Sequence, residues 1–202
     1  MDLFKISALT DPNSNEVVEL LARAYLTNPI NAAALGGSGE KELKLNHELF
    51  RVSCELVFRG EWYTVRDGSR TVGVLHMVNF PHCRLSHEQR EAIGPRLSES
   101  IAKAASRVTE WLGEWAKRDP DTAHCHLGPI AVLPEYQRRG IGKLMMQNFC
   151  ERVDEAGTLA YLETDRSENV GFYEKSGFTV TEQATILGVT NWFMSRTSRG
   201  AL

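Results

Sequence analysis

Pro134-Glu135-Tyr136-Gln137-Arg138-Arg139-Gly140-Ile141-Gly142-Lys143 joins an apolar stretch over residues 124–133 to a segment of helical period over 140–155. In that segment Ile141, Leu144, Met145, Phe149 and Val153 share one face, and Gly157 is placed to cap its end in the left-handed conformation. A strand over 159–164 follows, so the order is strand, helix, strand, and such a crossover makes its two strands parallel neighbours. The junction has a chemistry of its own. A helix start leaves its first N–H groups unpaired and carries the positive end of the helix dipole. Gly140 and Gly142 remove the Cβ atoms that would hold an anion off those amides, and Arg138, Arg139 and Lys143 add positive charge around them. A pyrophosphate suits such a turn. A P-loop would need Gly at 137 and Ser or Thr at 144, where Gln137 and Leu144 stand; a dinucleotide fingerprint would need a third glycine at 145, where Met145 stands.

Toward the N-terminus, residues 3–8 alternate as a short strand, and Asp11-Pro12-Asn13-Ser14 opens a helix through Tyr25. Residues 28–39, rich in Gly, Ala and Asn, read as a flexible loop, and 40–58 as a second helix. Strands over 62–66 and 71–80 flank Asp67-Gly68 as a hairpin. Residues 86–117 read as helix broken near Gly94-Pro95, with Leu97, Ile101, Ala104, Val108, Trp111 and Trp115 in one apolar stripe. So short a stripe favours packing on the chain's own sheet, a homodimer seam being its other use. Toward the C-terminus come a short helix over 167–175, ended by Gly177, and strands over 178–184 and 191–197. The pattern predicts a mixed α/β fold in a single domain: N-terminal strands and helices over 1–85, a helical insert over 86–118 and a core over 124–197.

Composition narrows the function. A chain of 202 residues, 42% hydrophobic and 24% charged, suits one domain with a core that needs neither disulfides nor metal. With 23 basic against 26 acidic residues it lacks the excess a nucleic-acid binder uses on phosphates. Its charge-free stretches, such as residues 24–39, contain Pro, Asn and Gly and do not make a membrane span. Met1-Asp2-Leu3-Phe4-Lys5 has no basic region followed by an apolar one, which predicts a cytoplasmic protein. Cys54, Cys83, Cys125 and Cys150 form no C-x-x-C pair and read as reduced thiols.

Gln137-Arg138-Arg139-Gly140-Ile141-Gly142 matches the [QR]-x-x-G-x-[GA] signature of the GNAT superfamily of acyl-CoA-dependent N-acyltransferases, which this chain resembles. His126-Leu127-Gly128-Pro129-Ile130-Ala131-Val132-Leu133-Pro134 resembles the strand before that signature, and residues 169–178 resemble the family's second conserved block. The likeness covers about residues 124 to 197. The order of elements, helical insert included, looks closest to the puromycin N-acetyltransferase-like members. The resemblance implies a central, mostly antiparallel sheet with a splayed parallel strand pair, and acetyl-CoA as cosubstrate. The loop from Gln137 to Lys143 would then hold the pyrophosphate. Ile130, Ala131 and Val132 would bond the pantetheine arm and one N–H would meet the thioester carbonyl. Asn169 would contact the arm or cap the short helix.

Acetyl transfer to an amine needs a neutral amine, a polarised carbonyl and a proton for the departing thiolate. Tyr173, in a Phe172/Tyr173/Phe178 cluster, is the candidate acid. Glu163, at the end of a parallel strand, is the candidate base, with His126 as the alternative or no dedicated base at all. Pro129 cannot donate to a ladder, so the strand should bulge there. The acceptor, a small-molecule amine, would sit among residues 28–39, 80–85 and 185–191. His82-Cys83 and His124-Cys125-His126 lack the close ligand pair of common zinc sites, which predicts no metal. A non-catalytic acyl-CoA-binding module and a protein N-acetyltransferase are the competing functions.

Overall fold

The computed structural model describes residues 4–200. Its strands are β1 (Ile6–Ala8), β2 (Glu61–Asp67), β3 (Arg70–Asn79), β4 (His124–Val132), β5 (Leu159–Thr164), β6 (Thr179–Ile186) and β7 (Val189–Arg196). The helices are α1 (Asn15–Tyr25), α2 (Pro29–Leu35), α3 (Glu40–Leu56), α4 (His87–Ile101), α5 (Ala105–Ala116), α6 (Ile141–Ala156) and α7 (Ser167–Glu174). One sheet holds the strands in the order β1-β2-β3-β4-β5-β7-β6, and only the β4–β5 pair is parallel. This is the mixed, mostly antiparallel architecture that the sequence predicts. Leu3, placed by the sequence in the first strand, lies outside the described residues. No helix among the described residues is long and apolar enough to cross a membrane.

Two features of β4 shape the centre of the sheet. Its pairing with β5 runs only from His124/Leu159 to His126/Tyr161, although both strands continue beyond that point. Leu75 pairs with Ile130 and Met77 with Leu127, so Gly128 and Pro129 together face the single residue His76. This is the expected bulge, and Gly128 is needed for it because a Cβ there would overlap the His76 ring. Past the bulge, the Leu133 N–H donates to the Val72 carbonyl at 3.0 Å. An antiparallel ladder alternates, so Ala131 faces β3 in the same way. Ile130 and Val132 therefore turn their peptide groups toward the edge from which β5 has diverged.

The core has two parts. α6 buries Ile141, Met145, Phe149 and Val153 together with α1 and one face of the sheet; Leu144 is only partly covered and Met146 takes its place. The stripe of Leu97, Ile101, Ala104, Val108 and Trp111 is covered by this chain's own α2, α3 and β7. Burying such large side chains contributes about 1.5–3 kcal/mol each.

Two local expectations are corrected. Residues 28–39 do not form a loop throughout: Pro29 begins α2, Gly36 ends it at φ 94, and Ile30, Ala34 and Leu35 are buried. The absence of charge there reflects burial rather than freedom. The helix over 86–117 breaks at Ala102 (φ 41), where a 3₁₀ turn joins α4 to α5, and not at Pro95. Pro95 costs α4 little because both it and Glu91, whose carbonyl it leaves unpaired, are exposed to water.

Candidate active site

A 3₁₀ turn, Pro134–Tyr136, carries the chain away from β4, and Gly140 at φ 86 is the N-cap of α6. Arg138 is also left-handed, at φ 62. Left-handed residues so close together curl successive amides to one side, the concavity in which anions are held. The first amide to find a backbone carbonyl is that of Leu144, 3.0 Å from Gly140 O. Among the described residues, the amides from Arg138 through Lys143 have no backbone acceptor. Arg138, Arg139, Gly140 and Lys143 are exposed, and Arg139 lies 4.8 Å from the Tyr136 ring centre. A Cβ on Gly142 would meet only Phe172, at 3.7 Å. Ile141 presents only its amide to the loop, since its side chain is buried against Gly73. Gln137 turns back, with Nε2 donating to the Val132 carbonyl at 3.3 Å.

The Ile130 peptide is occupied from an unforeseen direction. The Tyr25 hydroxyl, at the end of α1, donates to Ile130 O and accepts from Ile130 N, both at 3.2 Å. Burial, then the nearby Tyr173 and Asp165, push the Tyr25 hydroxyl well above the usual phenol range. Burial, reinforced by Asp165, does the same to Tyr173, whose ring lies 5.3 Å from Phe172 and 6.2 Å from Phe178. Both phenols stay protonated. Asp165 itself is raised by burial, and its carboxylate accepts the Ile30 N–H at 2.8 Å and Asn28 Nδ2 at 3.3 Å, so it caps α2 from 135 positions along the chain. Asn169 does not cap α7; Arg166 holds that position, and the Asn169 amide lies 3.5 Å from Thr164 Oγ1.

The two residues the sequence offers as alternative bases are a single hydrogen-bonded pair, with His126 Nε2 2.9 Å from Glu163 Oε2. His126 stands in the last pair of β4 with β5, and Glu163 lies two residues beyond its partner Tyr161. The network continues inward. His126 Nδ1 and His124 Nε2 each lie 3.1 Å from Asp119 Oδ1, and Cys83 Sγ lies 3.6 Å from His124 Nε2. Burial works against charge here, yet the hydrogen bonds from both histidines hold Asp119 far below the usual carboxylate range. Against the same burial, contact with Asp119 lifts His124 to about 9, and the Glu163 and Asp119 carboxylates lift His126 well above its ordinary value. Cys83, Asp119, His124 and His126 offer four metal-ligating atoms within 4.8 Å of one another. Sequence spacing set three of these residues aside. Asp119, in Asp119-Pro120-Asp121, carries only a turn signal, and no sequence feature marks Tyr25 or Asp165 either.

The segments expected around an acceptor are now placed. α2 and the β6–β7 turn, which narrows to Leu187-Gly188, pack in one apolar cluster with Phe193. Residues 80–85 are tied through Cys83 and Arg84 to Asp119.

Known proteins share this fold. The model of the acetyltransferase (GNAT) family matches residues 40–178. The fold is similar to that of the histone acetyltransferase HPA2 and related acetyltransferase from Corynebacterium glutamicum, with 18% identity, TM-score 0.72 and 96% of each chain covered. It is similar to arylalkylamine N-acetyltransferase 2 from Aedes aegypti, with 12% identity and TM-score 0.65 over 96% of this chain and 98% of that one. It is also similar to the PaiA N-acetyltransferase of Thermoplasma acidophilum in complex with coenzyme A, with 14% identity and TM-score 0.53 over 96% and 98%. At such identities the structures attest a shared fold. The family match itself takes in the hairpin, the bulged strand, the glycine turn and α7, more than half of the chain, and the protein is accordingly an acyltransferase of the acetyltransferase (GNAT) family.

Proposed function

We propose that the protein transfers an acetyl group from acetyl-CoA to a primary amine of a small molecule, by direct attack in a ternary complex. The observation that carries this reading is the run of acceptor-free amides from Arg138 through Lys143, continuous with the edge of β4 that β5 has left. In this reading those amides grip the pyrophosphate, and Arg138, Arg139 and Lys143 neutralise it. Gln137 braces Val132, and the pantetheine arm runs past Ile130, Ala131 and Val132 as a missing strand, with Asn169 beside it. Members of the family use acetyl-CoA, and the PaiA relative is complexed with coenzyme A.

The amine nitrogen attacks the thioester carbon, the C–S bond breaks, and the amine's proton passes to Glu163 directly or through a water. Tyr173 faces the departing sulfur. A free phenol is about 1.5 units weaker an acid than a thiol, and burial widens that gap. Tyr173 therefore acts by a hydrogen bond to the developing thiolate, which takes its proton from solvent on release.

Apolar packing of α2 and the β6–β7 turn on the acceptor face favours a covered site for a small amine over an open polypeptide groove. The helical insert α4–α5 ahead of β4 is in keeping with the puromycin N-acetyltransferase-like likeness. An amine library, read by thiol release from acetyl-CoA, tests the proposal. Turnover of small primary amines supports it. Turnover of peptides alone would make the protein a protein N-acetyltransferase, and acetyl-CoA binding without turnover a non-catalytic module.

A further inference from the structure

We propose that Cys83, Asp119, His124 and His126 bind one zinc ion, which fastens the segment after β3 and the segment before β4 to the first residues of β4. The site is distinct from the acetyl-CoA turn. It stands at the opposite end of β4, about 25 Å away by the rise of an extended strand.

Three donor spacings suit a tetrahedral ion, and all four donor atoms lie within 4.8 Å of one another. With ordinary zinc bond lengths, tetrahedral nitrogen and oxygen ligands lie about 3.3 Å apart, and sulfur and nitrogen about 3.5 Å. Asp119 Oδ1 is 3.1 Å from His124 Nε2 and from His126 Nδ1, and Cys83 Sγ is 3.6 Å from His124 Nε2.

The outer atoms of the same residues are already engaged in the manner a metal requires. His124 Nδ1 is 2.7 Å from the Thr122 carbonyl, which can only accept, so Nδ1 keeps its proton and Nε2, turned inward to Asp119, is the nitrogen free to exchange its proton for a metal. His126 Nε2 meets the Glu163 carboxylate at 2.9 Å, which turns its Nδ1 inward to Asp119 as well. Arg84 Nε holds the second oxygen of Asp119 at 3.2 Å. Ligating histidines usually give their outer N–H to a carbonyl or carboxylate, and ligating carboxylates are themselves hydrogen-bonded.

In the metal-free chain the inward nitrogens share protons with Asp119, and a divalent cation at their common focus takes the place of those protons. With Cys83 as thiolate, the charges of Cys83, Asp119 and Glu163 are offset by Arg84 and a divalent ion together. The His124 side chain is wholly buried, that of Asp119 is 6% exposed and that of His126 17%, and four protein ligands complete the coordination, as in structural zinc sites. Thiolate with imidazole selects zinc or cobalt over magnesium or calcium. Binding displaces the Cys83 proton and the inward protons of His124 and His126 to solvent.

The test uses the whole protein, made without a histidine tag in zinc-supplemented medium. Elemental analysis should find one zinc per chain. Cobalt added to chelator-stripped protein should give tetrahedral visible bands and a near-ultraviolet thiolate-to-cobalt band. Cys83→Ser should lose that near-ultraviolet band, and Asp119→Asn or His124→Ala should lose the zinc. Circular dichroism and calorimetric titration with acetyl-CoA check that each variant is folded. Protein that takes up neither metal overturns the proposal, because the histidines would then be satisfied by protons. So does a cobalt spectrum that Cys83→Ser leaves unchanged.

Discussion

The Tyr25 hydroxyl bonds both the N–H and the carbonyl of Ile130, at 3.2 Å each, and so fills the polar edge of β4 where β5 has turned away. A strand edge left bare inside a protein is costly, and this phenol satisfies it in the free enzyme. An arm of acetyl-CoA lying along the same edge must take over the same peptide group.

Tyr25→Phe should therefore split stability from affinity. Leaving the Ile130 peptide unpaired costs about 1–3 kcal/mol, measurable by urea denaturation. Acetyl-CoA binding followed by calorimetry should tighten, since no hydroxyl has to be displaced. Weaker binding would mean that Tyr25 belongs to the bound state.

Tyr173→Phe should lower kcat about 10- to 100-fold, the loss of one hydrogen bond to a charged group, with acetyl-CoA affinity unchanged. Because burial raises the Tyr173 hydroxyl, the wild-type rate should not fall between pH 7 and about 9 through its loss of a proton. Turnover equal to wild type would remove this residue from the mechanism.

At position 142 the side chain's charge should decide the outcome. Gly142→Ala meets only Phe172 at an ordinary 3.7 Å and should keep acetyl-CoA binding. Gly142→Glu places a carboxylate where phosphates approach and should abolish it in a calorimetric titration. Retained binding in the glutamate variant would move the phosphate site elsewhere.

Gly128→Ala should destabilise the fold by about 3 kcal/mol, because its Cβ overlaps the His76 ring. Adding His76→Ala should recover part of that loss, so that the two changes are not additive in thermal denaturation. Additive losses would assign the damage to backbone strain instead.

Asp154 receives Arg196 at 2.8 and 2.7 Å, a bidentate pair whose arginine side chain is 3% exposed. The hydrogen bonds from Arg196 hold the Asp154 carboxyl below its ordinary value. A depressed carboxyl adds stability above its unfolded pKa, about 3.9, and loses it as pH falls through the folded value. Asp154→Ala should cost about 3 kcal/mol at pH 7 by leaving Arg196 buried and unpaired, and its stability should depend less on pH below 4. An unchanged acid limb would place the wild-type titration elsewhere.

Much of this protein is legible as sequence because its signals are local. The hairpin at Gly68, the crossover from His124 to Thr164, the cap at Gly157 and the amide turn at Gly140 each follow from residues a few positions apart. Periodicity and backbone sterics act over that range, so reading neighbours suffices. Local reading fails where one pattern has two physical outcomes. A charge-free run over 28–39 fits a mobile loop or a buried helix, and only the partners of Ile30 and Leu35 decide which. Pro95 ends a helix if the Glu91 carbonyl it leaves unpaired is buried, and water spares it here. Tyr25 on Ile130, Asp165 on the start of α2, His126 on Glu163 and Asp119 among its histidines were decided by the tertiary structure alone. The first of these joins residues 105 positions apart, brought together by the packing of a helix on a sheet that no neighbouring residue specifies.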